Sequence, residues 1–397
     1  MEPDRGKYGV NSILRLLPYA KAMIGAPFHF LRWAFLFCGC GLALNACRKS
    51  LAPTPTPPDQ LRVYVAGYAI DTLTNIPNVI GSTVSEAVVW LNGVPTSLTN
   101  QPTDAIAQAM AVSGSDVYVV GNQAGPNANI AECWKNGTPT ALSDGSVDTY
   151  AEAIVLSNQH VYVAGYAYSS QPDYQEIMSM MLPNHIALIW IDGVETPLTT
   201  GYLDDYALSI AVSGSDVYVA GYEASRTGIA AVYWKNGVEF QLTNGQDYAF
   251  GYSIAVSGSD VYVAGWKTML VPGASDTALY WKNGNPVLLT TGQYPAQVYG
   301  IAVDSASNVY VAGWEGTDST NAAMLWKNGN PMPLSGGTNP SSAGGIAISG
   351  SDVYVTGYIA AGHMENTIAT YWKNGIPVFL NDSSKSTSAN SIFVVGK

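Results

Sequence analysis

The chain repeats one sequence pattern seven times, and this repeat constrains the fold more than any other feature. The clearest copy runs from Ile210 to Leu242: it opens with IAVSGSDVYVAG, continues through a variable segment and closes with YWKNG and a leucine. A repeat of this length is typical of propellers and solenoids, in which each copy forms one small structural unit. The repeat therefore outweighs the length of 397 residues, which alone would suggest two or three domains.

Three of the four intervals between the marked positions of a copy are nearly constant. Tryptophan to leucine is 8 residues in every copy (242 − 234), and leucine to the apolar residue that opens the next copy is 12 (254 − 242). From that residue to the tyrosine of VYVAG is 8 (262 − 254), except for a single interval of 9 (310 − 301). Tyrosine to tryptophan varies, for example 16 (234 − 218) and 28 (190 − 162). One connection in the unit is therefore free to change, while the others are held.

The marked positions lie in short stretches rich in Val, Ile, Tyr and Trp, bounded by Gly, Asn, Asp or Ser, which favours strands and turns. Lys-Asn-Gly between two such stretches predicts a type I′ hairpin turn, because Asn and Gly tolerate positive φ at its two central positions. Each copy is thus predicted to be a four-stranded antiparallel meander. In one copy, strand A lies around Ile254, B around Tyr262, C around Trp281 and D around Leu289. Four strands in about 44 residues predict one propeller blade.

The two ends of the repeat region predict how the units join. The first recognisable strand, 61–67, is a B strand without an A strand before it, and the last, 391–396, is an A strand without a B strand after it. Together they would complete one blade and leave no open sheet edge, whereas a solenoid needs atypical capping repeats. We therefore predict an all-β, seven-bladed β-propeller over 61–397, with four antiparallel strands per blade and one blade closed by the N- and C-terminal strands.

Residues 1–46 lie outside the repeat and contain an apolar run, 33–46, that follows several basic residues, as in a signal peptide. The run ends in Leu44-Asn45-Ala46-Cys47, which resembles the lipobox of bacterial lipoprotein signal peptides. The resemblance implies a lipoprotein-type signal peptide over 1–46, starting at Met1 or Met23, and a lipidated Cys47. The Pro-rich stretch that follows predicts a tether over 47–60. The alternative is a plain secretory signal or uncleaved anchor, with Cys47 an ordinary thiol.

Net charge and cysteine content limit the cellular compartments and the classes of binding partner that suit this chain. Removing 1–46 removes five of 17 basic and two of 29 acidic residues, so the remaining chain carries 12 − 27 = −15. This charge disfavours nucleic acid and anionic membrane surfaces as partners. After lipidation, Cys133 alone remains, so no disulfide is expected. We predict an exported monomer of the bacterial cell envelope that contacts the membrane, most simply the outer membrane, through its lipid anchor only.

The variable tyrosine-to-tryptophan connection indicates which end of the blades carries function, because binding residues concentrate on variable loops over a rigid scaffold. At the start of this connection, six of the seven copies have an aromatic residue directly after VYVAG or its variant, and the seventh has Asn122. Aromatic rims stack on sugar rings or hold protein side chains. The predicted ligand-binding residues are Tyr68, Tyr166, Tyr222, Trp266, Trp314 and Tyr358. The alternative is that these rings only fill gaps between blades.

Catalytic patterns are weak. Glu223, Lys267 and Glu315 occupy one repeat position in successive copies and could serve acid–base chemistry, but other copies have Ala or Ile there. A second set, Asp104, Asp148, Asp204 and Asp205, lies in the D–A connections and is typical of turns. No nucleophile triad, phosphate loop or calcium loop is found, and His185 and His363 lack a ligand spacing. We therefore predict no catalytic residue, no metal and no cofactor.

The region 61–397 resembles bacterial kelch-like propeller repeats, with an inner strand, a Y-V-x-G strand, a Trp-bearing strand and an outer strand. It departs from kelch repeats in lacking the double glycine after the tyrosine strand and in placing the tryptophan before Asn-Gly. The resemblance implies architecture only, because propellers host unrelated functions. The favoured function is a non-catalytic, envelope-anchored propeller that binds a protein or glycan through its variable-loop face. The alternatives are a carbohydrate-active hydrolase or lyase with carboxylates at the central mouth, and a scaffold in an envelope complex.

Overall fold

The computed structural model describes residues 61–72, 83–99, 103–169, 184–224, 227–271, 273–317, 320–336, 338–362, 366–381 and 384–396. The chain divides into two compact units, Met1–Lys49 and Ser50–Lys397, and all described residues belong to the second. The predicted signal peptide (1–46), the lipidated Cys47 and the tether (47–60) lie outside the described residues.

All named elements are strands, numbered here in chain order. They are β1 (Arg62–Thr72), β2 (Thr83–Leu91), β3 (Val94–Ser97), β4 (Ala105–Ser113), β5 (Asp116–Ala124), β6 (Asn129–Lys135), β7 (Thr138–Ala141), β8 (Thr149–Ser157), β9 (His160–Tyr168), β10 (His185–Ile191), β11 (Val194–Pro197), β12 (Asp205–Ser213), β13 (Asp216–Ala224), β14 (Ile229–Lys235), β15 (Val238–Gln241), β16 (Tyr248–Ser257), β17 (Asp260–Thr268), β18 (Thr277–Lys282), β19 (Asn285–Leu288), β20 (Ala296–Val303), β21 (Val309–Glu315), β22 (Ala322–Lys327), β23 (Asn330–Pro333), β24 (Ser341–Ser349), β25 (Asp352–Ala361), β26 (Asn366–Lys373), β27 (Ile376–Phe379) and β28 (Ser386–Val395).

The predicted antiparallel meander is confirmed. We call the strands of one sequence copy a repeat unit: unit 1 is β28, β1, β2 and β3, and units 2 to 7 take the following strands in fours, from β4–β7 to β24–β27. In each unit, strands A, B, C and D pair in that order. Five units are separate four-stranded sheets. Units 4 and 5 are joined into one eight-stranded sheet by a single parallel pair, Ile229 with Tyr248.

The first and last strands of the repeat region share a sheet, as the sequence predicts. β28 pairs antiparallel with β1, from Arg62 opposite Val395 to Ile70 opposite Ser386. Both strands are longer than the predicted 61–67 and 391–396. The reason is that β1 continues its pairing with β2 as far as Thr72, beyond the repeated VYVAG pattern that defined its predicted end.

The Asn-Gly turns adopt the predicted conformation. Asn236 and Gly237 have φ values of 51° and 77°, and positive φ at both central positions is what a type I′ turn requires. The other six copies have the same pair of positive φ values, with Asp192 in place of Asn in unit 3. Asn236 Oδ1 also accepts the N–H of Val217, at 2.9 Å, so the side chain ties the C–D turn to strand B. This bond explains why Asn or Asp stands before the glycine.

The hydrophobic core lies between consecutive units. The seven repeat tryptophans are at most 2 % exposed. Trp281 of unit 5, for example, packs in one apolar cluster with Tyr218 and Ala231 of unit 4. Burial of an aromatic side chain removes roughly 150–250 Å² from water, worth about 4–6 kcal/mol as an upper bound. The tryptophan of each copy therefore serves the packing of unit against unit.

A β-bulge in strand A accounts for the glycine that closes VYVAG. In unit 4, Ala207 pairs with Gly221 and Ser209 pairs with Ala220, which leaves Leu208 without a partner in the ladder. The bulge brings the backbone of strand A close to Gly221: a Cβ there would lie 1.8 Å from the carbonyl oxygen of Tyr206. Only glycine fits this approach. Six other units have the same glycine facing a carbonyl at 1.8–2.0 Å.

Candidate functional site

The antiparallel order gives each unit two distinct ends. The turn end carries the short A–B and C–D turns, and the loop end carries the B–C and D–A connections. At the turn end of unit 4, Lys235 Nζ lies 2.8 Å from Asp216 Oδ2 and 5.2 Å from the centre of the Tyr218 ring. Asn236 Nδ2 donates to the other oxygen of Asp216 at 2.8 Å. The hydrogen bonds from Lys235 and Asn236 hold the pKa of Asp216 below its usual value.

The same ion pair recurs in three other units, at Lys135–Asp116, Lys282–Asp260 and Lys373–Asp352, each 2.8 Å long. In unit 3 a histidine–aspartate contact takes the place of the lysine–aspartate pair. His160 Nδ1 lies 2.6 Å from Asp192, the residue that replaces the turn asparagine. These charged residues therefore bind one another and the turns. The charges at the turn end are exposed to solvent and already paired, so this end does not form a binding site.

The six predicted ligand-binding residues lie at the loop end, on strand B, directly after the close-packed glycine. Each faces a specific residue of the adjacent strand A. The pairs are Tyr68–Ser388, Tyr166–Tyr150, Tyr222–Tyr206, Trp266–Phe250, Trp314–Gln297 and Tyr358–Ser342. Trp266 is buried, at 6 % exposure, and the other five are half-buried. Rigid strands, rather than the variable loops, therefore present these side chains.

Three of the six belong to a continuous row of rings, which we call the aromatic arc. It runs through units 3, 4 and 5, with ring centres 4.9, 4.6, 4.6, 4.8 and 4.2 Å apart. Its members in order are Tyr150, Tyr166, Tyr206, Tyr222, Phe250 and Trp266. Such centroid distances are those of stacked and edge-to-face aromatic pairs. The arc thus gives this part of the loop end a row of packed rings, in which the four tyrosines are half-buried and Phe250 and Trp266 are buried.

The other three predicted residues flank the arc. Trp314 Nε1 donates to the hydroxyl of Tyr299 at 3.2 Å, and the Tyr299 ring lies 5.2 Å from Tyr252, edge to face. Burial, and then the neighbouring Tyr358, raise the pKa of Tyr68, and burial raises that of Tyr358. No ring pair joins Tyr68 or Tyr358 to the arc among the described residues. The structure therefore brings three of the six predicted residues into the aromatic arc and leaves the other three beside it.

The bulges of strand A place a second row of side chains, the bulge row, which the sequence did not reveal. Its members are the residues skipped by the ladder: Gln108, Glu152, Leu208, Tyr252, Tyr299, Gly344 and Asn390. No repeated residue type marks this position. The close-packed glycine on strand B was the one available sign of it, because a bulge is what makes a Cβ there impossible.

Polar members of the bulge row form a hydrogen-bond chain across units 1, 2 and 3. Asn390 Nδ2 donates to Gln108 Oε1 at 2.9 Å, and Gln108 Nε2 donates to Glu152 Oε2 at 2.9 Å. Asn390 thereby fixes the orientation of the Gln108 amide, so that its N–H points to the carboxylate. Burial raises the pKa of Glu152 to about 7, although the bond from Gln108 lowers it. Glu152 therefore titrates near neutrality.

A cavity of about 230 Å³ adjoins the bulge row. Every strand A contributes to its walls, through residues such as Ala153, Ser209, Ser253, Tyr299 and Ser391. Some wall serines are already engaged: Ser209 Oγ accepts the N–H of Ile254, and Ser253 Oγ that of Ile301, each at 3.2 Å. These bonds tie neighbouring A strands together. The cavity is therefore framed by structural contacts between the A strands, and the bulge row contributes Tyr299 to its walls.

The charged residues that follow the aromatic position, Glu223, Lys267 and Glu315, have different cross-strand partners. Glu223 lies opposite Asp205, whereas Lys267 lies opposite Ala249 and Glu315 opposite Ala296. Burial, and then Glu223, raise the pKa of Asp205 to about 8. Burial raises that of Glu223 to about 7. Unit 4 thus holds a carboxyl pair, and Lys267 and Glu315 are not its cross-strand partners.

Asp104 and Asp148 lie in D–A connections, as the sequence predicts, whereas Asp205 is the first residue of β12 and pairs with Glu223 in the sheet. Asp104 Oδ1 accepts the N–H of Ser85 at 2.8 Å, and Asp148 Oδ1 accepts that of Asn129 at 2.7 Å. Each bond joins a D–A connection to the start of the preceding strand C. Asp204 instead contacts Nδ1 of His185, whose ring lies 4.7 Å from Tyr206 of the arc.

His363 lies outside the described residues, so the pairing of His185 with it is not placed. Within the described ranges, no three His, Cys, Asp or Glu side chains are grouped so as to hold a metal ion. Over the same part of the chain, no helix has the length and apolar character needed to cross a membrane.

Comparison with known proteins bears on the fold. Residues 288–314, from the end of strand D in unit 5 to Trp314 in unit 6, match the family model described as a beta-propeller repeat. The fold is that of a β-propeller. No curated protein matches the chain at a significant level.

Solved structures match the β-propeller at low identity. They include an acylaminoacyl peptidase of Pyrococcus horikoshii (12% identity, TM-score 0.48, 80% of this chain and 53% of that one) and a mutant Trypanosoma rangeli sialidase with trans-sialidase activity (7%, 0.43, 72% and 53%). A third is Porphyromonas gingivalis dipeptidyl peptidase 4 (13%, 0.40, 80% and 51%). The chain spans about half the length of these structures. Their activities are therefore not carried over to it.

Proposed function

We propose that the chain is an envelope-anchored, seven-bladed β-propeller that binds a protein or glycan ligand at its loop end and does not catalyse a reaction. The anchor is a lipid on Cys47, followed by the tether 47–60, at the outer membrane. The propeller acts as a monomer and has no nucleic-acid partner. The ligand-binding residues are those of the aromatic arc on strand B, with Trp314, Tyr358 and Tyr68 beside it.

Contacts between units support a closed ring of seven blades. Each strand A contacts the strand A of the next unit, and β28 contacts both β24 and β4. The apolar clusters follow the same order: one joins units 1 and 2 through Tyr64 and Trp134, and another joins units 7 and 1 through Tyr354 and Trp90. Unit 1 thus packs against both unit 2 and unit 7, which is the packing that a closed ring requires.

The aromatic arc is the observation that carries the binding role. Its four tyrosines are half-buried at the loop end, although full burial would serve a purely structural ring better. Binding sites are typically concave and lined by aromatic side chains with few polar groups, and rigid strands hold such groups in place at little entropic cost. The turn end lacks this combination, because its charges are paired within the turns.

Affinity capture and a glycan array with the purified chain test this proposal, with Trp314→Ala as the variant. The matched control is Phe240→Ala, which removes an aromatic ring that is 42% exposed on the outer strand of unit 4, away from the arc. We expect Trp314→Ala to reduce ligand capture at least about tenfold, as for a binding residue of 1.4 kcal/mol or more, and Phe240→Ala to leave it unchanged. Equal capture by both variants would show that Trp314, beside the arc, is not part of the site.

A carbohydrate-active enzyme is the second candidate, and the Asp205–Glu223 pair favours it. Directly opposite residues on antiparallel strands have Cβ atoms about 4.5–5.5 Å apart, and retaining glycosidases hold two carboxyl groups about 5–5.5 Å apart. Asp205 is only 4% exposed, however, which limits access for a substrate. Release of reducing sugar that is abolished by both Asp205→Asn and Glu223→Gln would favour the enzyme over the binding protein. Co-purifying proteins without glycan affinity would favour a scaffold.

A further inference from the structure

Charge is distributed unevenly between the two ends of the β-propeller. The described acidic residues at the loop end are Asp71, Glu86, Asp104, Asp144, Asp148, Asp204, Asp205, Glu223, Asp247, Asp276 and Glu315. Against them the described residues place two lysines at this end, Lys267 and Lys385, and Lys385 is ion-paired with Asp71. The remaining described lysines lie at the turn end, each over a tyrosine ring. The loop end therefore attracts cations and repels anions.

Glu152 carries this negative charge into the bulge row. Its carboxylate accepts one hydrogen bond, from Gln108, and no lysine or arginine among the described residues acts on it. Its charge contributes, after burial, to raising the pKa of Tyr166, Tyr222 and Tyr252, which belong to units 3, 4 and 5. Glu152 follows Tyr150 of the arc by two residues on strand A of unit 3, and Gln108 reaches it from unit 2. A carboxylate in this position lacks a counter-charge.

Resting on the proposed binding role, we infer that the site receives a single cationic head group, an alkylammonium or guanidinium, against Glu152 and the rings of the aromatic arc. Aromatic faces carry negative quadrupole charge and attract cations, most strongly where water is excluded. The half-buried carboxylate adds a formal charge that a neutral sugar would not require. Gln108, held by Asn390, keeps the carboxylate oriented.

Calorimetric titration of the full chain in mild detergent tests the inference with a matched pair of probes. Nα-acetyl-arginine amide carries the guanidinium, and Nα-acetyl-citrulline amide has nearly the same shape without the charge. We expect the arginine probe to bind at least about tenfold more tightly, since a charged hydrogen bond and a cation–π contact are both lost in citrulline. Equal affinities, or no binding of either, would overturn the inference.

Two variants test whether the Glu152 carboxylate is the group that recognises the cation. Glu152→Gln keeps the shape and a hydrogen-bonding group, and we expect it to remove the preference for arginine over citrulline. The control is Glu132→Gln on strand C of unit 2, because Glu132 is also buried with a pKa raised by burial but is not in the bulge row. It should bind both probes like the wild type. If Glu152→Gln keeps the preference, the carboxylate has no part in recognition.

Proton release gives an independent readout of Glu152. The groups that face it are Gln108 on β4, Tyr150 on β8, Tyr166 on β9, Tyr222 on β13 and Tyr252 on β16. A cation favours its ionised form, so binding at pH 6 should release a proton that binding at pH 8.5 does not. Affinity should rise over this interval, up to about tenfold per pH unit below the pKa of about 7. Glu152→Gln should bind without proton release.

The same measurements distinguish the source of the cationic head group, and they test the cation inference separately from the proposed binding role. Spermidine binding more tightly than the arginine probe would indicate a free polyamine, and the reverse would indicate a protein side chain; both support a cation site. Loss of captured ligand in Trp314→Ala with no arginine preference would overturn the cation inference and leave the binding role standing. Capture that is unaffected by Trp314→Ala, with no probe binding, would overturn both.

Discussion

Replacing Gly221 with alanine should destabilise the β-propeller, because the bulge of β12 occupies the space that the new methyl group needs. A Cβ at this position would lie 1.8 Å from the carbonyl oxygen of Tyr206 and 2.9 Å from its carbonyl carbon. Ordinary C···O contacts are about 3.3 Å or longer, so the two strands must separate by roughly 1.5 Å. The obstacle is backbone and cannot rotate away. We expect a cost of about 3 kcal/mol, the upper part of the range for overpacking.

Urea unfolding followed by far-UV circular dichroism and tryptophan fluorescence measures this cost. The matched control is Gly336→Ala, where a Cβ would have no heavy atom within 4 Å. The control should stay within about 0.5 kcal/mol of the wild type, as for most surface substitutions. Since Tyr206 and Tyr222 of the arc flank the bulge, Gly221→Ala should also weaken ligand capture. If Gly221→Ala is as stable as the control, the close approach that explains the repeated glycine is wrong.

Three further perturbations test other parts of the account. Deleting 389–397 removes most of β28, so the melting temperature should fall strongly, and an unchanged melt would contradict the shared sheet. Trp234→Ala should cost about 3–5 kcal/mol in urea unfolding, whereas Phe240→Ala, at an exposed ring, should cost less than about 1 kcal/mol; similar losses would count against the tryptophan core. Burial and then Glu223 raise the pKa of Asp205 to about 8, so its stabilising effect is present below about pH 4 and is lost as the pH rises to about 8. Asp205→Asn should therefore gain stability over the wild type by a few kcal/mol more at pH 9 than at pH 5, and a difference independent of pH would refute the raised pKa.

The repeat predicted the strands because each repeated residue has a specific structural role. Asn236 and Gly237 are needed for positive φ, Trp234 for packing between units, and Gly221 for the bulge. Sequence spacing therefore yielded the four-strand unit, the turn type and the pairing of the terminal strands. It also placed the six aromatic residues on one end of the sheets.

The bulge row was not predictable, because its position is filled by Gln108, Glu152, Leu208 and other unlike residues. A residue that the bulge leaves without a partner in the ladder is not held to one residue type by strand pairing. Alternation along strand A also fails as a guide, since a bulge shifts the register by one residue. The contact partners of the aromatic residues, and the chain from Asn390 to Glu152, depend on units far apart in sequence. They emerge only when the sheets are assembled.

A crystal structure of the β-propeller with the saturating arginine probe tests the central claim, that the loop end receives a ligand between the arc and Glu152, most directly. The account predicts the guanidinium beside the carboxylate of Glu152, with its face within about 4–6 Å of an arc ring such as Tyr222. A probe bound at the turn end beside Asp216, with the cavity filled only by water, would contradict it.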